Sequence, residues 1–131
     1  MGHLGGLPTR RFPIMRQPVP AGGSTPNDAE YLELPLDLPG DCIAVPVSGE
    51  CMLDTIAPGD YVIVNRDMSP QPKDVCVLLI DGETTLKRVQ RRNGVWELHA
   101  DNPAFEPVEV RASEITVIGV VVQVVTVKGK P

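Results

Sequence analysis

Aromatic residues are scarce in this chain of 131 residues: one Trp, two Tyr and two Phe. A core must therefore come from aliphatic side chains, and 42% apolar residues suffice for one domain at this length. Histidine is limited to His3 and His99, each apart from other potential ligands, so no metal is assigned and no cofactor is implied. The three cysteines, Cys42, Cys51 and Cys76, are odd in number and lack paired spacing. With no apolar signal-peptide core at the N-terminus, they suggest a reducing, cytoplasmic setting. The longest apolar stretch, residues 117–122 with Gly119 inside it, is far short of the ~20 residues needed to span a bilayer, so no membrane anchor is expected. A net charge of −5 argues against general attraction to nucleic acid phosphates.

Helix-favouring stretches are also few, whereas 14 prolines and 12 glycines punctuate the chain. The predicted fold class is mostly β: antiparallel strands and hairpins preceded by an extended N-terminal arm. The arm covers residues 1–27, where repeated Pro and Gly preclude a regular helix. It leaves no room for a helix-turn-helix unit, so no direct DNA-binding module is expected. Arg10, Arg11 and Arg16 are the only charged residues before Asp28, giving the arm +3 and the remainder −8. Such a basic segment could touch DNA or an acidic partner, or simply stay solvated.

Residues 28–131 form the predicted body. Strand-like runs cover residues 31–36, 42–47, 61–64 and 75–80, with turn signals between them. Asp81-Gly82 and Asn93-Gly94 are tight-hairpin pairs, so residues 75–80, 84–89 and 95–99 should form a three-stranded meander. The valine-rich run 115–126 carries too much apolar surface for one solvated face, which predicts burial on both sides or a dimer contact. One helical turn is conceivable over residues 52–56, with Cys51 at its start, where free N–H groups would favour a thiolate or an oxyanion.

The segment Val47-Ser48-Gly49-Glu50-Cys51-Met52, followed by Ile56-Ala57-Pro58-Gly59-Asp60-Tyr61, resembles the nucleophile loop of the LexA/UmuD-type self-cleaving proteins. Three further segments agree in order and spacing: Asp81-Gly82-Glu83-Thr84-Thr85-Leu86-Lys87-Arg88-Val89, Asp101-Asn102-Pro103-Ala104-Phe105-Glu106-Pro107, and Ile118-Gly119-Val120-Val121. The resemblance implies a LexA/signal-peptidase-like domain, with Cys51 where the family has its nucleophilic serine and Lys87 as general base and acid. Ser48 is the earlier serine of the pattern, not the nucleophile. The resemblance further implies an oxyanion site made by the backbone N–H groups of Glu50 and Cys51. Phe12-Pro13-Ile14-Met15-Arg16-Gln17-Pro18-Val19-Pro20-Ala21-Gly22 resembles the family's cleavage segment, so Ala21-Gly22 is the implied scissile bond.

A lysine with an ordinary pKa of ~10.4 is neutral about once in a thousand molecules at pH 7.4, so a lysine base has to be desolvated. Thr85, Lys87 and Val89 share one strand face and Leu86 and Arg88 the other, which leaves the inward face open. A thiol ionises more readily than a hydroxyl and needs less help from a base. Cys42 and Cys76 sit inside apolar runs and read as core residues, as Cys51 also would in a non-cleaving relative. A Cys51–His99 thiol dyad is the rival chemistry.

At the level of the whole protein, the resemblance implies RecA-stimulated autoproteolysis in the SOS response to DNA damage. The expected partners are a RecA filament on single-stranded DNA, a second copy of the chain through residues 115–126, and an error-prone DNA polymerase. The short arm suggests a UmuD-like accessory factor for translesion synthesis. The alternatives are the C-terminal domain of a LexA-type repressor and a dimeric interaction module that does not cut.

Overall fold

A computed structural model describes residues 8–128. Among them the regular structure is β, apart from one 3-10 turn at Ala112–Glu114. The strands are β1 (Arg10–Pro13), β2 (Tyr31–Leu34), β3 (Cys42–Pro46), β4 (Tyr61–Asn65), β5 (Val75–Ile80), β6 (Glu83–Arg92), β7 (Val95–His99), β8 (Val108–Arg111) and β9 (Ile115–Val125). β1 and β2 form a ribbon; the other seven form one sheet in the order β3-β4-β9-β5-β6-β7-β8. All neighbours pair antiparallel. The expected mostly-β class is what the chain adopts.

Local chemistry explains the meander. Asp81 and Gly82 have φ of 51° and 79°, and Asn93 and Gly94 of 53° and 79°. Positive φ at both central positions gives the turn that matches strand twist. The meander extends one strand beyond the three expected, because Val108–Arg111 pairs with Val95–Leu98.

β9 lies between β4 and β5, which use both of its edges. Register shifts opposite Ile63/Val64 and Val77/Leu78 mark bulges in these pairings, and bulges bend a long strand. Its side chains divide between the strand's two faces. Ile118 belongs to a cluster with Ile43, Val62 and Val77, whereas Val120 packs with Cys76, Leu78 and Trp96. Of the two outcomes expected for the valine run, burial within the domain accounts for much of it.

The arm is not a free tail throughout. β1 pairs with β2, Phe12 is fully buried and Met15 nearly so. Beyond β1, Ile14 makes a parallel bridge with Ala44 at the outer edge of β3. The Arg10 guanidinium donates to the carbonyls of Leu38 and Gly40, and Arg11 lies over the Tyr31 ring, 4.1 Å from its centroid. Phe12 and Ile14 supply the apolar surface that fastens this stretch, so residues 10–15 pack as part of the body rather than ahead of it.

Candidate active site

The loop after β3 carries Cys51. Met52 and Ile56 anchor it, each about 1% exposed. The turn conceived over residues 52–56 forms as a single closed turn, with Thr55 and Ile56 both donating to the Met52 carbonyl, and does not grow into a helix. Pro58 and Gly59 directly after it stop it from propagating. No helix dipole therefore acts on Cys51.

The half-buried Cys51 packs against the main core, and its Sγ lies 3.3 Å from the Leu86 carbonyl oxygen, which its S–H addresses. A cleft of about 190 Å³ opens beside it, bounded by Ser48, Gly49 and Met52 on one side and Thr84, Thr85 and Leu86 on the other. Val45, Val47 and Val77 form its floor, and Arg16 from the arm lies at its wall. Lys87 is not among the lining residues. Its Nζ sits 5.6 Å from the centroid of the exposed Phe105 ring, a face that attracts cations. Cys51 thus meets the strand of Lys87 through the backbone of the preceding residue.

Cys42 and Cys76 are core residues, as expected from their apolar runs. Burial raises both thiol pKa values, Cys76 to about 12, where Asp74 adds to the effect. At Cys42 the Arg10 charge partly offsets burial, while Asp41 and Asp67 add to it. His99 bonds Glu97 Oε1 at 3.2 Å rather than Cys51. His3 lies outside the described residues, and no cluster of potential metal ligands occurs among those described.

Ala21 and Gly22 are exposed at the centre of a turn closed by Gly23 N–H on the Pro20 carbonyl at 3.1 Å. Gly22 has φ 91°, which suits glycine in such a turn. Arg66 holds this turn: its Nη1 donates to Val19 O at 2.9 Å and Pro20 O at 3.3 Å, and its Nη2 to Asp41 Oδ1 at 3.0 Å. The Arg66 side chain is 4% exposed. Arg66 and Asp41 flank the β4 end and β3 start; the Cys51 loop follows the other end of β3. A five-residue strand separates these ends by roughly 14 Å. Neither Ala21 nor Gly22 lines the Cys51 cleft in this arrangement.

Sequence reasoning assigned no role to a second loop that supports Cys51. Asn102 N–H donates to the Cys51 carbonyl at 2.9 Å, and Asn102 Nδ2 to the Glu50 carbonyl at 3.0 Å. Asp101 accepts from Thr55 Oγ1 at 2.5 Å and from Arg88 Nε at 2.7 Å and Nη2 at 3.0 Å. Its bond to Arg88 holds the Asp101 carboxyl below the usual carboxylate range, against the opposing effect of burial, with Thr55 helping. The same bond raises the Arg88 guanidinium. The available signal was Asp-Asn-Pro, a polar pair opening a turn.

An all-β domain thus presents a thiol in a cleft beside a lysine-bearing strand, with Arg16 of its own N-terminal segment at the cleft wall. A family model, Peptidase S24-like, matches residues 13–122, and the chain belongs to that family. Among curated relatives, a LexA repressor of Syntrophotalea carbinolica (strain DSM 2380 / NBRC 103641 / GraBd1) is 32% identical over 121 residues, covering 85% of this chain and 60% of the relative. One of Verrucomicrobium spinosum is 44% identical over 80 residues, 60% and 39% of the two chains. One of Mycolicibacterium paratuberculosis is 32% identical over 125 residues, 91% and 53%. The chain spans 39% to 60% of the length of these three relatives. Self-cleaving peptidase activity belongs to this family as a whole. Among the described residues, no helix is long and apolar enough to cross a membrane.

Proposed function

We propose that this chain is the self-cleaving portion of a LexA-type SOS repressor, with Cys51 as nucleophile, Lys87 as proton carrier and Ala21-Gly22 as the bond cut. The observation that carries the reading is the half-buried Cys51 thiol, which lines a cleft and bonds the carbonyl of Leu86, the residue before Lys87. The names of the relatives favour a repressor over a UmuD-like accessory factor. The short arm does not decide between them, because the chain covers only part of those relatives.

In the reaction, Lys87 accepts the thiol proton as Cys51 Sγ attacks the Ala21 carbonyl carbon. Backbone N–H groups of Glu50 and Cys51 receive the developing oxyanion. The carbon–nitrogen bond to Gly22 then breaks, the Lys87 ammonium protonates the departing amine, and water hydrolyses the thioester on Cys51. The Ala21–Gly22 turn has to leave Arg66 first, and Lys87 has to swing from Phe105. Tethering supplies the effective concentration that makes a weakly held substrate sufficient. A RecA filament on single-stranded DNA is the proposed partner that favours the docked arm, and a second copy of the chain the proposed dimer partner. Because β9 has neighbours on both edges, that second copy would pack against faces or residues beyond the strand.

The test is to incubate purified protein at alkaline pH, or with RecA, nucleotide and single-stranded DNA, and sequence new N-termini. A terminus at Gly22 that disappears in Cys51→Ala and Lys87→Ala is expected. A chain that stays intact under both conditions overturns the reading. A cut that survives Lys87→Ala but not His99→Ala transfers the chemistry to a Cys51–His99 dyad.

A further inference from the structure

A carbonyl and the N–H that follows it point in opposite directions across a trans peptide. The Glu50 carbonyl and the Cys51 N–H are such a pair. Two donors converge on the Glu50 oxygen, Asn102 Nδ2 at 3.0 Å and Leu53 N–H at 3.2 Å. They fix the plane of that peptide and aim the Cys51 N–H away from Asn102. Among the described residues, no protein acceptor meets the Cys51 N–H. Asn102 also fixes the next peptide plane, through its own N–H on the Cys51 carbonyl at 2.9 Å. Gly49, Cys51 and Met52 line the cleft and Asn102 does not, so the clamp works from behind the loop.

We infer that Asn102 is a positioning residue for self-cleavage: by holding the Glu50–Cys51 peptide from the rear, it presents the Cys51 N–H to the oxyanion formed on Ala21. The inference rests on the proposed role of Cys51. Asn102 is itself held, since its Oδ1 accepts the Ala104 N–H at 3.0 Å and its carbonyl the Phe105 N–H at 3.1 Å. This leaves Nδ2 as the group free to address Glu50. An aspartate of the same shape would keep the acceptor and lose the donor, turning an oxygen toward the Glu50 carbonyl.

The distinguishing measurement pairs two reactions of one thiol. Peptide cleavage develops an oxyanion, whereas alkylation of Cys51 by iodoacetamide displaces iodide and develops none. In the 131-residue chain carrying Asn102→Asp or Asn102→Ala, self-cleavage at alkaline pH should slow by roughly 100-fold, the scale for loss of one oxyanion donor. Cys51 alkylation, followed by mass spectrometry of the Cys51 peptide, should stay within about twofold of the parent. Equal loss of both reactions, or a collapse of thermal stability in both variants, makes Asn102 a merely structural residue and overturns the inference. Unchanged cleavage in both variants overturns it while leaving Cys51 as nucleophile. A parent chain that does not cut itself at all overturns both.

Discussion

Around Cys51, Asn102 donates to two consecutive carbonyls and Asp101 ties Thr55 to Arg88 on the lysine strand. Around Ala21–Gly22, one side chain, Arg66, donates to two carbonyls of an otherwise exposed turn. Several bonds with partners in two elements set the first region in place; one arginine sets the second. Under the proposed function, in which one chain is both enzyme and substrate, rigidity belongs with the attacking group, whose geometry must be ready beforehand. Mobility belongs with the bond to be cut. In the proposed self-cleavage, control then lies in where the arm sits and in the swing of Lys87 from Phe105, with the Cys51 loop itself already fixed.

Removing the nucleophile gives the largest effect. Cys51→Ala should abolish the Gly22 terminus, and Cys51→Ser should retain a measurable rate, read by gel densitometry over time. Faster cleavage by the serine form would mark a scaffold shaped for oxygen; slower cleavage would mark a site adapted to sulfur. A terminus at Gly22 in Cys51→Ala would remove the comparison's first member altogether.

Freeing the arm is next. Arg66→Met keeps an apolar stem against its neighbours but removes the donors to Val19, Pro20 and Asp41. Hydrogen bonds to charged groups contribute about 1.5–3 kcal/mol, much of which water recovers at an exposed turn. A cleavage rate roughly tenfold above the parent is expected at equal pH. An unchanged or slower rate in a variant that melts normally would show that Arg66 does not restrain the turn. Arg66 Nε has no partner although it is buried, so the position already carries an unsatisfied donor that methionine would eliminate.

The legibility of these regions in sequence was unequal, for physical reasons. Hairpins at Asp81-Gly82 and Asn93-Gly94 were legible because positive φ demands particular residues at two adjacent positions. β9 was legible as a strand because six valines cluster there. β8 was missed, since Val108-Glu109-Val110-Arg111 is a short edge strand with little burial. Packing of the arm was missed because Phe12 and Met15 stand among prolines and glycines, and only tertiary contacts reveal what they cover. The candidate nucleophile and lysine came from motif resemblance; strand periodicity alone left the inward face of β6 open. Arg66 and Asn102 act through distant backbone carbonyls, 46 or more residues away, which no local pattern encodes.

The support of the Cys51 loop can be weakened without touching the thiol. Asp101→Asn should lower stability by about 1–2 kcal/mol by removing charge from a partly exposed pair. Its pH dependence has a definite sign. The folded-state carboxyl is held below its unfolded value, so its contribution is present above the ordinary carboxylate range and disappears as pH falls through the folded value. Urea melts below about pH 4 should therefore show a shallower acid loss in Asp101→Asn than in the parent. Identical acid limbs would mean that Asp101 does not couple the two loops.

The smallest effect lies away from the site and bounds the alkaline cleavage assay. Cys76 is fully buried, and burial places its thiol at about 12, above an unfolded value of about 9. The folded state disfavours the thiolate, so this stabilising contribution is complete below pH 9 and declines as pH rises toward 12. The slope from one such group cannot exceed about 1.4 kcal/mol per pH unit. Urea midpoints of Cys51→Ala, which lacks the proposed nucleophile, should fall between pH 9 and pH 11. Adding Cys76→Ala should flatten that fall, leaving the smaller contribution of Cys42, whose pKa shifts in the same direction. An equally steep fall without Cys76 would assign alkaline weakening to other groups. Where stability is still flat, faster cleavage with rising pH must come from the site and the arm; above that range, opening of the whole domain would also release the turn from Arg66, and the two regions would no longer be distinguishable.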